Sequence, residues 1–138
     1  MRALMLTAAP LYAALLGLLF LVLTARVLQM RRARGILFGS GGDSDFERII
    51  RAHANFVEYA PLGIVLLLIA ELIGAPHLLL HLLGIALVLG RVLHALGLAG
   101  PSHVVWLRSS GLVLTLLSLV GLVITVLLYW LHLVTIAA

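Results

Sequence analysis

The chain has no cysteine and no lysine, and only 10% of its 138 residues are charged. Without cysteine it forms no disulfide, supplies no thiol nucleophile and builds no thiolate metal site. With so few charges, 64% apolar residues and a mean hydropathy of +1.26, it has too little polar surface for a soluble globular domain. Lipid is therefore the solvent for most of the chain.

Four apolar stretches dominate the sequence, and each is long enough to cross a bilayer, which takes about 20 helical residues. We predict an all-α fold, an integral membrane four-helix bundle that forms a single domain over residues 1–138. A glycine-rich polar segment, 39–45, separates the first two stretches, and Asp45 is the predicted cap of the second helix. The predicted spans are about 3–30, 46–74, 77–98 and 104–132.

All nine basic residues are arginines, and most of them lie in or beside the connection between the first two spans. Arg91 and Arg108 flank the connection between the third and fourth spans. By the positive-inside rule these basic loops are cytoplasmic, and both termini lie on the opposite side. The pI near 10.7 also suits nucleic-acid binding, but no long basic soluble segment or nucleic-acid module is present. We therefore expect membrane lipid as a partner, and no nucleic acid.

The start of the second span carries a concentrated set of polar residues, which we call the polar stripe. At about 100° per residue, their side chains share an arc of about a hundred degrees on one side of the helix. The stripe supplies cations, an amide, a carboxylate and a phenol over about three helical turns. Its residues are Arg48, Arg51, Asn55, Glu58 and Tyr59.

The polar stripe has two interpretations. In one, its residues fix the helix at the membrane interface, the arginines extend to water, and Glu58 pairs with Arg51. In the other, they bind a ligand. A carboxylate inside a span costs about 2.5–3.5 kcal/mol on insertion scales, so Glu58 needs a partner or a hydrated cavity in either case.

The sequence from Phe46 to Leu62 reads F-E-R-x-x-R-A-x-x-N-x-x-E-Y-x-P-L. This pattern resembles the second helix of the membrane-associated proteins in eicosanoid and glutathione metabolism. That family includes microsomal glutathione transferases and leukotriene-forming synthases. Less specific matches extend over the rest of the chain. They are the four spans, the pair Arg31-Arg32 after the first span, Gly90-Arg91 in the third and Arg108 at the start of the fourth.

The resemblance implies a homotrimer that binds glutathione, as co-substrate, between neighbouring subunits near the cytoplasmic face. A lipophilic small-molecule substrate would approach from the bilayer. Arginines suit the carboxylates of glutathione, a carboxylate suits its amino group, and amide and phenol groups suit its peptide bonds. The implied ligands are Arg31, Arg48 and Arg51 for the carboxylates, Glu58 for the amino group, Asn55 and Tyr59 for the amides, His53 from the adjacent subunit, and Arg91 and His94 in the third span.

Arg108 matches the family arginine that holds the glutathione thiol as thiolate, which makes it the implied catalytic residue. A guanidinium in a poorly solvated site lowers the pKa of a thiol from about 8.5, and the thiolate is the nucleophile. The implied activity is that of a membrane-bound glutathione transferase acting on lipophilic electrophiles, or of a peroxidase reducing lipid hydroperoxides. Without the resemblance, Arg108 is a basic flank that obeys the positive-inside rule.

The third span departs from the leukotriene-forming members, which carry tyrosines there. No tyrosine lies in this span, and Arg91 is followed about one turn later by His94 on the same face. Leukotriene synthesis is therefore not expected. His94 either replaces a ligand contact or pairs with a neighbouring helix.

Two further functions stay open. A non-enzymatic member of the family would keep the fold as a membrane scaffold or a lipid-binding partner. A small ion or proton transporter would use Glu58, Glu71 and the histidines, although Glu71 also suits an interhelical hydrogen bond. His77 and His81 have a metal-compatible spacing but no third ligand, so we expect no metal site.

Overall fold

The computed structural model describes residues 6–100 and 104–137, which form four α-helices and no strand. Each helix is long and apolar enough to cross a membrane, which confirms the predicted all-α membrane fold. The first residues of the first predicted span, 3–5, lie outside the described residues. The helices are α1 (Ala8–Arg34), α2 (Ser44–Leu72), α3 (His77–Ala99) and α4 (Val105–Ala137).

The loop between α1 and α2 is fixed at both ends by local hydrogen bonds. Helix α1 ends at Gly35, whose φ of 63° is the left-handed conformation that glycine adopts without strain. Asp43 caps α2, since its Oδ1 accepts hydrogen bonds from the amides of Asp45 and Phe46, each at 2.9 Å. The predicted cap, Asp45, is thus wrong by two positions, because the extended backbone of Asp43 lets its carboxylate reach the first free amides.

Helices α2 and α3 lie at the centre of the bundle. Each packs against all three other helices, whereas the described residues of α1 and α4 do not pack against each other. The C-terminal ends of α1 and α3 and the N-terminal ends of α2 and α4 lie at the same end of the bundle. Every described arginine lies in the half of its helix nearer this end. We call it the arginine-rich end.

Glycines set the spacing between α3 and α4. A Cβ atom at Gly97 would meet the backbone of Arg108, and one at Gly111 would meet the backbone of His94. Close packing of this kind holds helices together in a bilayer, because lipid chains are as apolar as the helices themselves. The two glycines therefore bring His94 and Arg108 next to each other.

We expect the substitution Gly97→Ala to lower the stability of the bundle by about 1–3 kcal/mol, because the added methyl group forces α3 and α4 apart. Thermal unfolding in detergent, followed by helical circular dichroism, measures the loss. The matched control is Gly17→Ala, where the new Cβ has no atom within 4 Å. Equal stability of the two variants would show that the bundle does not depend on this close approach.

Glu71, near the C-terminal end of α2, caps the start of α1. Its carboxylate accepts hydrogen bonds from the amides of Thr7, Ala8 and Ala9 at 2.6, 2.8 and 2.7 Å. Amides at a helix start have no partner within their own helix, and a negative charge there is favoured by the helix dipole. Glu71 is 6% exposed, so it fills the role of an interhelical hydrogen-bond acceptor that the sequence suggested.

The variant Glu71→Gln should lose about 1.5–3 kcal/mol of stability, since one acceptor oxygen becomes an NH₂ group that faces an amide donor. Thermal unfolding in detergent again provides the measurement. Glu47→Gln removes the same charge from an exposed ion pair with Arg51, and its expected cost is only about 0–1 kcal/mol. An equal loss in both variants would argue against the capping role.

Candidate functional site

A cavity of about 370 Å³ lies between α2, α3 and α4 toward the arginine-rich end. Its volume falls within the range of small-molecule sites, and its lining is mainly polar. The lining residues are Arg51, Ala54, Asn55, Glu58, His94, Leu98 and Arg108. We call it the polar cavity. It brings together five of the ten predicted site residues, drawn from three helices.

Helix α2 presents Arg51, Asn55 and Glu58 to the polar cavity on successive turns. The Nε of Arg51 lies 3.2 Å from Glu47 Oε1, and its side chain is 72% exposed. Among the described residues, Arg51 therefore pairs with Glu47 one turn earlier, and not with Glu58 as the first interpretation of the stripe proposed. The carboxylate of Glu58 faces the cavity without that partner.

Arg91 lies in the interior of the bundle next to Asn55 and is 1% exposed. Its Nε donates to Thr115 Oγ1 at 2.9 Å, and its Nη1 donates to Asn55 Oδ1 at 2.9 Å. The centre of its guanidinium lies 5.1 Å from the ring centre of Tyr59, a cation–π arrangement. Because Asn55 Oδ1 accepts from Arg91, the NH₂ group of Asn55 is the part left to donate to a ligand.

His94 and Arg108 meet where α3 and α4 come closest. The Nδ1 atom of His94 lies 3.1 Å from the backbone oxygen of Arg108. A carbonyl oxygen only accepts, so Nδ1 carries the proton and Nε2 of the neutral ring is an acceptor. This Nε2 atom is buried and has no hydrogen-bond partner among the described residues. His94 and Arg108 both line the polar cavity, so an imidazole with an unpaired acceptor and a guanidinium lie together at its wall.

Three other predicted ligands do not line the polar cavity of their own subunit. Arg31 donates to backbone oxygens of the α1–α2 loop and stacks over the ring of Phe46. Arg48 pairs with Asp45 and lines a separate cavity. The Nε2 of His53 lies 3.0 Å from the hydroxyl of Thr24 on α1. Tyr59 takes part indirectly, through its contact with Arg91 described above.

Thr115 is a further residue of the site that was not predicted from the sequence. It is fully buried and accepts the hydrogen bond of Arg91 Nε. It lies in a long apolar helix, where its hydroxyl also donates to the backbone oxygen of Gly111 at 2.8 Å. A transmembrane threonine usually bonds its own backbone in this way, so the residue alone gives no sign of a partner on another helix. In the sequence, the indication of a helix contact was that Gly111 and Thr115, two small residues, lie four positions apart, a spacing that allows close approach of helices.

Comparison with known proteins identifies the family. The sequence profile of the MAPEG family matches residues 9–128. The chain belongs to the MAPEG family. This finding confirms the resemblance that the second helix suggested. Two relatives, the inner membrane protein YecN of Escherichia coli strain K12 and that of E. coli O6:H1 strain CFT073, are each 40% identical over 87 residues. The match covers 63% of this chain and 66% of theirs, slightly less than two-thirds of the relatives' length.

In this MAPEG protein, we expect the substitutions Arg91→Met and Asn55→Ala to be coupled by about 1 kcal/mol or more, since each removes the same interhelical hydrogen bond. A double-mutant cycle on thermal stability in detergent measures the coupling. The control cycle pairs Arg91→Met with Glu47→Gln, and its effects should add within about 0.5 kcal/mol. Additive effects in both cycles would mean that Arg91 does not position Asn55.

Proposed function

We propose that this MAPEG protein is a membrane-bound glutathione-dependent transferase, or a peroxidase, that works as a homotrimer. The observation that carries the proposal is the polar cavity. It combines a guanidinium, an amide, a carboxylate and a second guanidinium in one space, from Arg51, Asn55, Glu58 and Arg108. Membership of a family that includes glutathione transferases supports the same ligand.

The groups of the cavity complement those of glutathione. Arg51 binds a carboxylate of the tripeptide through charge-assisted hydrogen bonds. Glu58 accepts from the protonated amino group, and the NH₂ of Asn55, fixed by Arg91, donates to a peptide oxygen. Arg91 and Tyr59 act as positioning residues, because they contact Asn55 or each other rather than the cavity.

The chemistry requires the glutathione thiol to lose its proton. A free thiol with a pKa of about 8.5 is mostly protonated at neutral pH, and a nearby guanidinium favours the thiolate. We assign this role to Arg108, with the free Nε2 of His94 as the acceptor of the thiol proton. The thiolate sulfur then bonds to an electrophilic carbon, either by displacing a leaving group or by adding to an activated double bond that takes up a proton. With a hydroperoxide, the sulfur attacks an oxygen, the O–O bond breaks, and the alkoxide takes a proton and leaves as the alcohol. The sulfenic acid of glutathione then condenses with a second glutathione to give the disulfide and water.

A lipophilic substrate needs an apolar site that is open to the bilayer. Such a groove, of about 380 Å³, lies between α1 and α2, and its lining is almost wholly apolar. It includes Leu16, Phe20 and Phe56. The groove is on the α1 side of α2, whereas the polar cavity is on the α3 and α4 side. One subunit therefore does not bring the two sites together, and this supports the homotrimer, in which a neighbour supplies the missing contact.

The orientation follows from the charges. The arginine-rich end faces the cytoplasm by the positive-inside rule, and both termini lie on the opposite side. Glutathione, a soluble anion, then enters the polar cavity from the cytoplasm. The relatives are named inner membrane proteins, which agrees with an integral, multi-pass location for this chain.

The decisive experiment titrates glutathione into the detergent-purified protein and follows the ultraviolet absorbance of the thiolate. We expect thiolate formation in the wild type. Arg51→Ala should weaken binding about tenfold or more, since a hydrogen bond to a charged group contributes about 1.5–3 kcal/mol. Arg108→Ala should still bind glutathione, measured by calorimetry, but form no thiolate.

Two controls accompany the titration. Arg32→Ala removes an exposed arginine at the same end of the bundle. This residue lines neither the polar cavity nor the separate cavity that Arg48 lines, so the variant should behave as the wild type. S-methylglutathione lacks the thiol proton, and its affinity should be the same in wild type and Arg108→Ala. No binding of glutathione at millimolar concentration would rule out the enzyme and leave a membrane scaffold as the better account.

A further inference from the structure

A second cavity, of about 250 Å³, lies at the arginine-rich end between the last turns of α1, the first turns of α2 and the end of α3. It shares no lining residue with the polar cavity, and the glutathione proposal does not use it. Its lining residues are Arg26, Met30, Arg34, Asp45, Arg48, Ile49, Ala99 and Gly100. We call it the arginine cavity.

The arginine cavity has an excess of positive charge. Three guanidinium groups and the carboxylate of Asp45 line it, and Asp43 pairs with one of the three arginines from outside the lining, so one positive charge is in excess. Each guanidinium is held in place by one contact: Arg26 donates to the backbone oxygen of Ala99 at 2.8 Å, Arg34 pairs with Asp43, and Arg48 pairs with Asp45. A guanidinium has N–H donors on every nitrogen, so each retains donors for another acceptor.

One of these donors is left without an acceptor inside the structure. The Nε of Arg48 is buried and has no hydrogen-bond partner among the described residues. A buried donor on a charged group is costly to leave unpaired, and because Arg48 lines the cavity, an anion bound there would lie close to this guanidinium. Planar guanidinium groups match the oxygens of phosphate particularly well, because they donate two parallel hydrogen bonds.

The surroundings of the arginine cavity are apolar as well as basic. Met30 and Ile49 line it beside the arginines. It lies at the ends of helices that are long and apolar enough to cross a membrane, the part of such helices that is suited to the headgroup layer. On the α1–α2 loop, which joins two helices that line the cavity, Leu37 and Phe38 are 80% and 90% exposed, and apolar side chains of this kind suit contact with lipid at the interface. An occupant with both a phosphate and acyl chains fits this combination.

We propose that the arginine cavity binds the phosphate of an anionic phospholipid, with Arg26, Arg34 and Arg48 around the phosphate oxygens. The acyl chains extend from the cavity along the apolar surface of α1. Basic pockets between membrane helices are suited to such headgroups. The site does not involve glutathione, so the lipid proposal and the function proposed above can fail independently of each other. A soluble phosphate compound shares the headgroup chemistry, and the test separates the two sources.

The test measures lipid binding to the full-length protein, purified in detergent and freed of lipid, by native mass spectrometry. The probes are phosphatidylglycerol, diacylglycerol with the same acyl chains, and inorganic phosphate as competitor. Binding constants for the three probes are compared in parallel by fluorescence titration in 1 M salt, where the Debye length falls to about 3 Å and diffuse charge attraction is screened.

We expect phosphatidylglycerol to bind the wild type. Arg26→Gln and Arg48→Gln, which lie on different helices, should each weaken it about tenfold, the effect of one charge-assisted hydrogen bond. The matched control is Arg32→Gln, which removes an exposed arginine that lies two positions from Arg34 on α1 and does not line the cavity. It should change the affinity less than about twofold once diffuse attraction is screened. Helical circular dichroism and size-exclusion chromatography establish that each variant is folded.

Three results would overturn the proposal. Equal binding of diacylglycerol would show that acyl chains alone are recognised. Displacement of the lipid by inorganic phosphate at equal concentration would assign the cavity to a soluble phosphate compound. Equal losses of affinity for phosphatidylglycerol in Arg32→Gln and in the two cavity variants would show that binding is only a general attraction between a basic surface and an anionic lipid.

Discussion

A guanidinium in the interior of a membrane bundle needs polar groups around it, and two other helices supply most of those for Arg91. Its Nε and Nη1 are paired, whereas its Nη2 is buried without a hydrogen-bond partner among the described residues. Thr115 accepts from one side, Asn55 accepts from another, and the ring of Tyr59 lies over the cation. Removing any of these partners would leave the buried charge with still fewer favourable contacts. The arrangement of α2, α3 and α4 is therefore fixed by the same contacts that orient Asn55 toward the polar cavity.

The fold could be predicted because few backbone structures can cross a bilayer. Apolar stretches of sufficient length must be helices, and short turns between them leave little freedom in their order. The meeting of His94 and Arg108 was not predictable from length and hydropathy. It depends on how closely α3 and α4 approach, and that distance is set by Gly97 and Gly111 against the backbone of the partner helix. A pattern of glycines shows that close approach is possible, but not which residues it joins.

The polar stripe shows both what helical projection predicts and where it stops. Arg51, Asn55 and Glu58 lie within about 60° of one another around α2, and they line the same cavity. Arg48 and Tyr59 lie about 20–40° farther round, which is enough to place them against different neighbours. Tyr59 packs on the guanidinium of Arg91, and Arg48 lines the arginine cavity. Projection gives the direction of a side chain from its own axis, whereas the neighbouring helices decide which space it enters.

The capping contact of Glu71 also bears on how the chain is assembled during synthesis. Helix α1 leaves the ribosome before α2, and the amides at its start have no interhelical acceptor until Glu71 has crossed to the same side of the bilayer. An unsatisfied helix end near hydrocarbon is unfavourable. The hairpin of α1 and α2 is thus the smallest nascent piece in which this capping contact exists.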